Sequence, residues 1–414
     1  MRILFLHQHY YPETVGTSTR AVEIVEYLVS QGHELDVVTG LPCHPSTIAN
    51  GETVRRQPRF EVIHGARVYR TWTYASAKRD TFLRRMMMYG SFMVLGTLKA
   101  LRMRGKYDAL VAVSPLPNGV AGLLVSRLRG IPLMFDVCDI WPDCAVAVGM
   151  LKPSLTLRIA QWLEMKIYDG AKRIGVVTRG FTENLAAKGV PRAKICLLPD
   201  WVDPETYSPD QADRERARRA HDLDGKFVVS FLGNFGLIMG LELILDTAAI
   251  LLKEDPKILF LFVGKGVALP MMNERIAREG LVNVRIIPYQ PRAEVPNLLA
   301  ASDVLMVTYK QTEITQITVP SKIYEYLSMA RPIVAGVDGV LAEILEESGS
   351  SFVLKERKPR DLADAILRLS AKPELGLSMG IRGRAYAMEH FSFTRVAADY
   401  EATIKAVHDE SLGQ

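Results

Sequence analysis

The chain opens on a short apolar run, Arg2 to Leu6, turns polar, passes a loop holding Pro12 and Gly16, and enters a helical pattern from Ser18 to Ser30. A second strand-like run, Glu34 to Thr39, follows. Short apolar runs bounded by turn residues predict buried strands, and apolar positions three and four apart predict a helix with one buried face. The same alternation continues through Asp108 to Val113, Pro132 to Val137, Arg173 to Thr178 and Lys194 to Leu198, with helix-compatible stretches between several of them. Parallel strands need long crossovers, which helices supply, so this half is predicted to be a mainly parallel sheet covered by helices. Phe60 to Thr73 reads as two short strands flanking His64-Gly65, an insertion that need not belong to the parallel set.

The pattern then breaks and begins again. Leu198-Pro199-Asp200-Trp201-Val202-Asp203-Pro204 carries two prolines, and Glu205 to Asp224 is charged and irregular, as expected of a linker. A second series starts at Phe227 to Leu232, meets the glycine loop Gly233 to Gly236, and enters a helix from about Gly240 to Lys253. Strands are predicted at Ile258 to Val263, Val284 to Pro288, Val304 to Thr308, Pro332 to Ala335 and Phe352 to Leu354, and a last helix over Arg395 to Ala406. The fold class is therefore α/β, with two doubly wound units. They are expected at residues 1–204 and 205–392, with 393–414 a C-terminal helix packing back toward the first. Open parallel sheets collect ligands beyond the carboxyl ends of their strands, so function is expected where two such units face each other across a cleft.

Composition narrows the class. Of 414 residues, 48% are hydrophobic and 23% charged, enough to bury sizeable cores and far from the polar bias of a disordered chain. The apolar stretch Met86 to Leu98 is interrupted by Gly90, Ser91, Gly96 and Thr97 and is too short to span a bilayer. The first nine residues turn polar too soon for a secretory signal, so a cytoplasmic location is expected. Cys43, Cys138, Cys144 and Cys196 form no C-x2-C pair, which disfavours a disulfide framework or a zinc ribbon. A net charge of +5 is mild for this length, and no nucleic-acid partner is expected.

Several local phrases carry candidate chemistry. Gly16-Thr17-Ser18 lies between the first strand and the first helix, where backbone amides meet an anion with the favourable end of the helix dipole; a plain tight turn capped by Thr17 or Ser18 is the alternative. Neither this loop nor Gly233-x-x-Gly236 forms G-x-G-x-x-G, and no P-loop occurs, which disfavours dinucleotide oxidoreductases and P-loop enzymes. Gly264-Lys265-Gly266 follows an apolar strand and permits close backbone approach beside a cation, or is a loop that needs positive φ. In Val319-Pro320-Ser321-Lys322-Ile323-Tyr324-Glu325, Pro320 suits a first helical turn and Ser321 a cap. Lys322 near a helix start opposes the macrodipole unless an anion sits there, which points to phosphate; a solvated Lys and Glu pair is the plainer reading. Asp139, in Phe135-Asp136-Val137-Cys138-Asp139-Ile140-Trp141-Pro142, follows a strand whose end should face the cleft, and either lines that cleft or caps the next turn. His7, His9 and His44 lie in loops at the same end. Lys78, Arg79, Arg84, Arg85, Lys99, Arg102, Arg104 and Lys106 bracket the apolar stretch, so this helix is read as a peripheral contact with an anionic membrane, a core helix with snorkelling ends being the alternative.

Together these phrases resemble the retaining glycosyltransferases of GT-B architecture known as group 1, or family four. The resemblance rests on Gln31-Gly32-His33-Glu34-Leu35-Asp36-Val37-Val38-Thr39, the linker Pro199-Asp200-Trp201-Val202-Asp203, the loop Gly233 to Gly240, the turn Val263 to Gly266 and Ala301-Ser302-Asp303-Val304. The order of these phrases across most of the chain is more specific than any one of them. Pro-Ser-Lys before Glu325 is similar to a branch of the family found among enzymes of bacterial surface-polysaccharide assembly, including lipopolysaccharide. The resemblance implies two Rossmann-like domains and transfer of a hexosyl or N-acetylhexosaminyl group, with retention, from a nucleotide-diphosphate sugar, UDP above all. The acceptor it implies is a hydroxyl of a glycan or a polyprenyl-diphosphate-linked saccharide. Asp139 and Glu325 are the implied catalytic pair. The implied donor contacts are Gly16, Thr17, Gly233, Asn234, Gly236, Gly264, Gly266, Ser321, Lys322 and Glu325, and Arg84, Arg85, Arg102 and Arg104 are the acceptor or membrane residues. Neither metal nor cofactor is expected, the nucleotide sugar being a substrate.

The sequence departs from the family pattern at the donor site. Ile317 stands where the first of two family glutamates belongs, and Asn234 and Met239 replace the basic residues that usually grip the diphosphate, leaving Lys322 as the candidate counter-charge. Two other functions share these features. One is a UDP-sugar epimerase of the same fold; the other is a catalytically impaired scaffold of a polysaccharide assembly complex.

Overall fold

The computed structural model describes residues 1–13, 16–43, 57–75, 82–147 and 153–412, and the chain divides into two units, Met1–Pro199 with Ala397–Gln414, and Asp200–Val396. In the first unit the chain runs β1 (Arg2–Leu6), α1 (Thr17–Ser30), β2 (Glu34–Gly40), β3 (Phe60–Ile63), β4 (Ala66–Thr71), α2 (Phe82–Arg102), β5 (Ala109–Val113) and α3 (Leu116–Arg129). It continues through β6 (Leu133–Val137), α4 (Asp143–Ala147), α5 (Leu155–Gly170), β7 (Arg173–Val176), α6 (Arg179–Ala187) and β8 (Ile195–Leu197). The eight strands order as β3-β4-β2-β1-β5-β6-β7-β8. Every residue of β5 and β6 is buried, as expected of parallel strands covered on both faces. The hairpin, which the sequence left open as to its place in the parallel set, joins the sheet: β4 pairs parallel with β2, and β3 pairs antiparallel with β4, at the edge.

The second unit holds α7 (Arg214–Ala220), β9 (Phe227–Asn234), α8 (Leu241–Glu254), β10 (Ile258–Lys265), α9 (Leu269–Glu279), β11 (Val284–Ile287), α10 (Val295–Ala301) and β12 (Val304–Thr308). Next come α11 (Glu313–Ile317), α12 (Lys322–Ser328), β13 (Ile333–Gly336), α13 (Gly339–Glu347), β14 (Ser351–Val353), α14 (Pro359–Ala371), α15 (Pro373–Phe391) and α16 (Phe393–Leu412). Its sheet, β11-β10-β9-β12-β13-β14, is parallel throughout and packs an apolar cluster on each face. The segment read as an irregular linker contains α7, capped by the Asp213 side chain on the Arg216 amide. The division falls after Pro199 rather than Pro204. The Val202 amide donates to the Phe391 carbonyl and the Phe393 amide to the Val202 carbonyl, which ties this segment into the second unit.

The glycine loops also differ from expectation, because β9 and β10 run through them, pairing Gly264 with Gly233 and Lys265 with Asn234. A Cβ on Gly264 would fall 1.9 Å from the Gly233 carbonyl oxygen, and one on Gly266 2.4 Å from that of Phe235. Close backbone approach therefore explains both glycines.

The final helix α16 begins in the second unit and ends in the first. Tyr400 donates to Asp136 at 3.1 Å, Glu401 accepts from His33 at 2.9 Å, and Glu410 pairs with Arg173. Asp136 in turn meets the buried Arg20 guanidinium at 3.3 Å, which also donates to the carbonyls of Leu198 and Pro199 at 2.9 and 3.0 Å. Removing one partner of a buried ion pair strands the other charge away from water. Arg20→Ala should therefore lower the unfolding free energy by about 3–5 kcal/mol, read from a urea transition. Gly264→Ala should cost about 1–3 kcal/mol in the same assay, because the added methyl group has nowhere to go.

Candidate functional site

In an open parallel sheet the crevice opens where the strand order reverses. In the second unit that point lies between β9 and β12. At the carboxyl end of β9, Gly233 and Asn234 are exposed and Gly236 partly buried. Lys322, the first residue of α12, brings its ammonium to the same place: Nζ sits 3.4 Å from the centroid of the Phe231 ring, donates to the Leu232 carbonyl at 3.3 Å, and would lie 3.8 Å from a Cβ on Gly233. Ring and carbonyl solvate the cation only in part. Burial pushes its pKa down to about 7, against the pull of the Glu325 carboxylate one turn along.

Glu325 is itself partly buried. It hydrogen-bonds the Tyr207 hydroxyl, which also meets Arg292, and the Tyr207 pKa is raised first by burial and then by Glu325. Neither Tyr207 nor Arg292 is found by motif reading, since both come from segments distant in sequence and their role is visible only once α12 packs against them. Ser321 does not cap α12 as expected. Its backbone is already helical, with φ −53° and ψ −31°, and its exposed side chain makes no capping bond. Met239 packs its side chain among the apolar residues on either face of the sheet, and Ile317 closes the short helix α11. Neither position brings charge. Lys265, in register with Asn234, is exposed and stacks on Tyr289 at 4.9 Å.

In the first unit the strand order reverses between β1 and β5. Gly16, at φ 54° and ψ −129°, is the N-cap of α1 and makes no side-chain capping bond. Ser18 is buried and donates to the Glu13 carbonyl at 2.9 Å, and Thr17 is partly buried, so the capping roles considered for them are not realised. Asp139 is exposed just beyond β6, and the neighbouring Cys138 amide donates to Ser114 at the end of β5.

The loop after β1 contains a cluster that motif reading only touched. Glu13, 1% exposed, accepts from the Cys43 amide at 2.6 Å with one oxygen and pairs with His9 Nδ1 at 2.6 Å through the other. Burial opposes charge on His9, but hydrogen bonds to Cys43 and Glu13 outweigh it and raise its pKa to about 9. His7, fully buried, is pushed down to about 3 by burial and by the charge on His9. The donor atoms of His9, Glu13 and Cys43 lie within 4.8 Å of one another, a mixed set of the kind zinc accepts, and here they link the loops that follow β1 and β2. His44, Lys78 and Arg79 lie outside the described residues. Of the α2 cations, Arg84 and Arg85 are partly buried and Arg102 is exposed, as is Arg104 just beyond the helix. No helix among the described residues is long and apolar enough to cross a membrane.

Comparison with known proteins accounts for both units. Residues 15–201 match the Glycosyl transferase 4-like domain family and residues 213–386 match Glycosyl transferases group 1. The chain is 27% identical over 357 residues to the putative colanic acid biosynthesis glycosyl transferase WcaI of Escherichia coli (strain K12), covering 84% of this chain and 85% of that one. It is 27% identical over 281 residues to the probable glycosyltransferase WbjE of Pseudomonas aeruginosa, covering 66% and 69%. Among solved structures, Anabaena HepE in complex with UDP and glucose superposes with a TM-score of 0.73 at 18% identity, over 97% of this chain and 99% of that one. WaaG, a glycosyltransferase involved in lipopolysaccharide biosynthesis, gives 0.70 at 14% identity, over 97% and 98%. The two halves thus belong to the glycosyl transferase 4-like and group 1 domain families, and the chain is a glycosyltransferase of the GT-B fold.

Proposed function

We propose that the chain transfers a sugar from a UDP-sugar, with retention, to a hydroxyl of a lipid-linked saccharide during assembly of a bacterial surface polysaccharide. The observation that carries this reading is the placement of Lys322 beside Gly233, with Glu325 one helical turn along, at the point in the second sheet where the strand order reverses. A diphosphate diester brings roughly two negative charges that need compensation, and a partly desolvated ammonium with one carbonyl partner is suited to receive them. Glu325, held by Tyr207, takes the ribose hydroxyls, and the exposed backbone at Gly233 and Asn234 lies against the phosphates. Ser321 offers its exposed hydroxyl to the same diphosphate, and Gly236, Gly264 and Gly266 keep the backbone close enough for the nucleotide to approach.

In the transfer step the bond between the anomeric carbon and the diphosphate oxygen breaks, and a bond from that carbon to the acceptor oxygen forms. The acceptor proton passes to the departing diphosphate. Lys322 stabilises the charge that grows on the leaving group, an electrostatic contribution that is larger where water is excluded. On the first unit, Asp139 orients the acceptor hydroxyls, and the cations Arg84, Arg85, Arg102 and Arg104 bring the protein to an anionic membrane. WcaI is named for colanic acid biosynthesis, WaaG for lipopolysaccharide biosynthesis and WbjE as a probable glycosyltransferase, and HepE was solved with UDP and glucose.

Calorimetry with UDP-, GDP- and dTDP-sugars, followed by transfer assays that read the anomeric configuration of the product, tests the proposal. Lys322→Met should raise the Kd of the preferred donor about 10- to 100-fold, the effect of losing a hydrogen bond to a charged group, and Glu325→Gln about tenfold. Unchanged binding and transfer in both variants would sink the assignment, and an epimer accumulating without acceptor would replace it by an epimerase.

A pH dependence follows from Lys322. In the folded protein without donor its pKa is about 7, against 10.5 ordinarily, so between those values the unfolded chain binds more protons and stability rises with pH. Donor binding favours the ammonium and so takes up a proton above pH 7. Affinity should therefore fall from pH 7 to 9 by up to about tenfold per unit. A nucleotide sugar suits the measurement because its diphosphate does not titrate there, and Lys322→Met should flatten the profile.

A further inference from the structure

The polar cluster beyond β1 takes no part in the proposed transfer. Glu13 and Cys43 are buried, and the His9 side chain that meets them is 13% exposed. A carboxylate out of water is normally paired with a cation or bound to a metal. Here three different donor atoms converge: His9 Nδ1 lies 2.6 Å from Glu13 Oε2 and 3.8 Å from Cys43 Sγ, and all three lie within 4.8 Å of one another. Tetrahedral zinc bonds nitrogen, oxygen and sulfur at about 2.0–2.3 Å, which sets such donors roughly 3.3–3.6 Å apart. To take up that geometry, Nδ1 and Oε2 need separate by less than about 1 Å, and Nδ1 and Sγ approach by a few tenths.

The donors are also held from behind, as metal ligands are. Glu13 Oε1 accepts from the Cys43 amide at 2.6 Å, which leaves Oε2 for the shared centre. Gln8 Nε2 stands 3.6 Å from Cys43 Sγ, and the Gln8 carbonyl accepts from the Gly40 amide at 3.1 Å and the Thr39 hydroxyl at 3.0 Å. The Ser18 hydroxyl fixes the Glu13 carbonyl at 2.9 Å. Motif spacing predicts no metal here, because His9 and Glu13 lie in an irregular loop and Cys43 arrives from the far end of β2, thirty residues beyond Glu13. Only the parallel pairing of β1 with β2 brings the two loops together.

We propose that His9, Glu13 and Cys43 form a zinc site that ties the loop after β1 to the loop after β2. Zinc there displaces the protons of His9 Nδ1 and of the Cys43 thiol, because a metal binds imidazole and thiolate in their deprotonated forms. Nitrogen and sulfur donors select a borderline-soft ion over Mg²⁺ or Ca²⁺, whose preferred ligands are oxygens. Three protein ligands leave the fourth tetrahedral position to water. The role is structural: the ion clamps two strand ends on the first unit, three residues before Gly16 and the start of α1. The inference goes beyond the transferase reading and does not depend on it.

The test uses the tag-free full-length protein, stripped with a chelator and kept reduced. Titration with Zn²⁺ against a chromophoric chelator should show one equivalent bound, and Mg²⁺ or Ca²⁺ at the same concentrations should not compete. Co²⁺ in place of Zn²⁺ should give the thiolate-to-metal charge-transfer band and the intense visible bands of four-coordinate cobalt. Cys43→Ser should remove the charge-transfer band. Cys43→Ser, Glu13→Gln and His9→Gln should each weaken Zn²⁺ binding by more than about 100-fold, since loss of even an outer partner costs about 10- to 100-fold. Gln8→Ala, which keeps all three ligands, should weaken it about tenfold. The thermal midpoint of the unaltered protein should rise with the logarithm of Zn²⁺ concentration, and that of Cys43→Ser should not. Circular dichroism reports whether each variant folds, and the cobalt spectrum of the unaltered protein decides the ligand type without any variant. The proposal is overturned by an absence of Zn²⁺ binding, by a cobalt spectrum with no thiolate band, by competition from Mg²⁺, or by a charge-transfer band that survives Cys43→Ser, which would assign the metal to Cys138, Cys144 or Cys196. None of these readouts involves sugar transfer, so either reading can fail while the other stands.

Discussion

A single buried guanidinium organises the first unit. Arg20 reaches from α1 to Asp136 at the end of β6, to the carbonyls that leave β8, and to the face of Tyr400 on the returning helix α16. Burying a cation is tolerable only when its donors are satisfied, and here the partners come from three separate segments of the chain. The last helix therefore docks on a specific charge as well as through its buried apolar face, with His33 and Arg173 reinforcing it through Glu401 and Glu410. The same pair holds the carboxyl end of β6, from which Asp139 projects.

The second unit applies a related constraint to a different end. Lys322 is held against an aromatic ring and one carbonyl, an arrangement that leaves its charge under-solvated. Glycines at the ends of β9 and β10 let the backbones close on each other, which fixes the strand ends that frame this lysine. The family pattern would put basic side chains at positions 234 and 239; here Asn234 is neutral and Met239 has joined the core. The cation beside the glycine loop is instead Lys322, at the start of α12.

The two kinds of basic residue on this protein accordingly differ in environment. Burial lowers the pKa of Lys322, whereas Arg102 and Arg104 are solvated.

How much of this was legible depends on whether local pattern or distant contact decides. Apolar runs bounded by glycine and proline marked the strands of both sheets, because a buried parallel strand needs continuous apolar residues whatever surrounds it. The order of the phrases around Gly32-His33, Pro199 to Asp203 and Pro320 to Glu325 carried the family. Register was not legible: β4 joined the parallel set because its partner β2 offered an open edge, and β9 and β10 ran on through their glycines because each was the other's neighbour. Nor was the company of the site. Tyr207 and Arg292 beside Glu325, Phe231 beneath Lys322, Glu13 beside Cys43, and Trp141 beside Ala160 are meetings of residues well separated in sequence. Periodicity along one segment determines which face is buried, but which charges are desolvated and which apolar faces stay uncovered follows only from how segments pack, because burial is a property of neighbours.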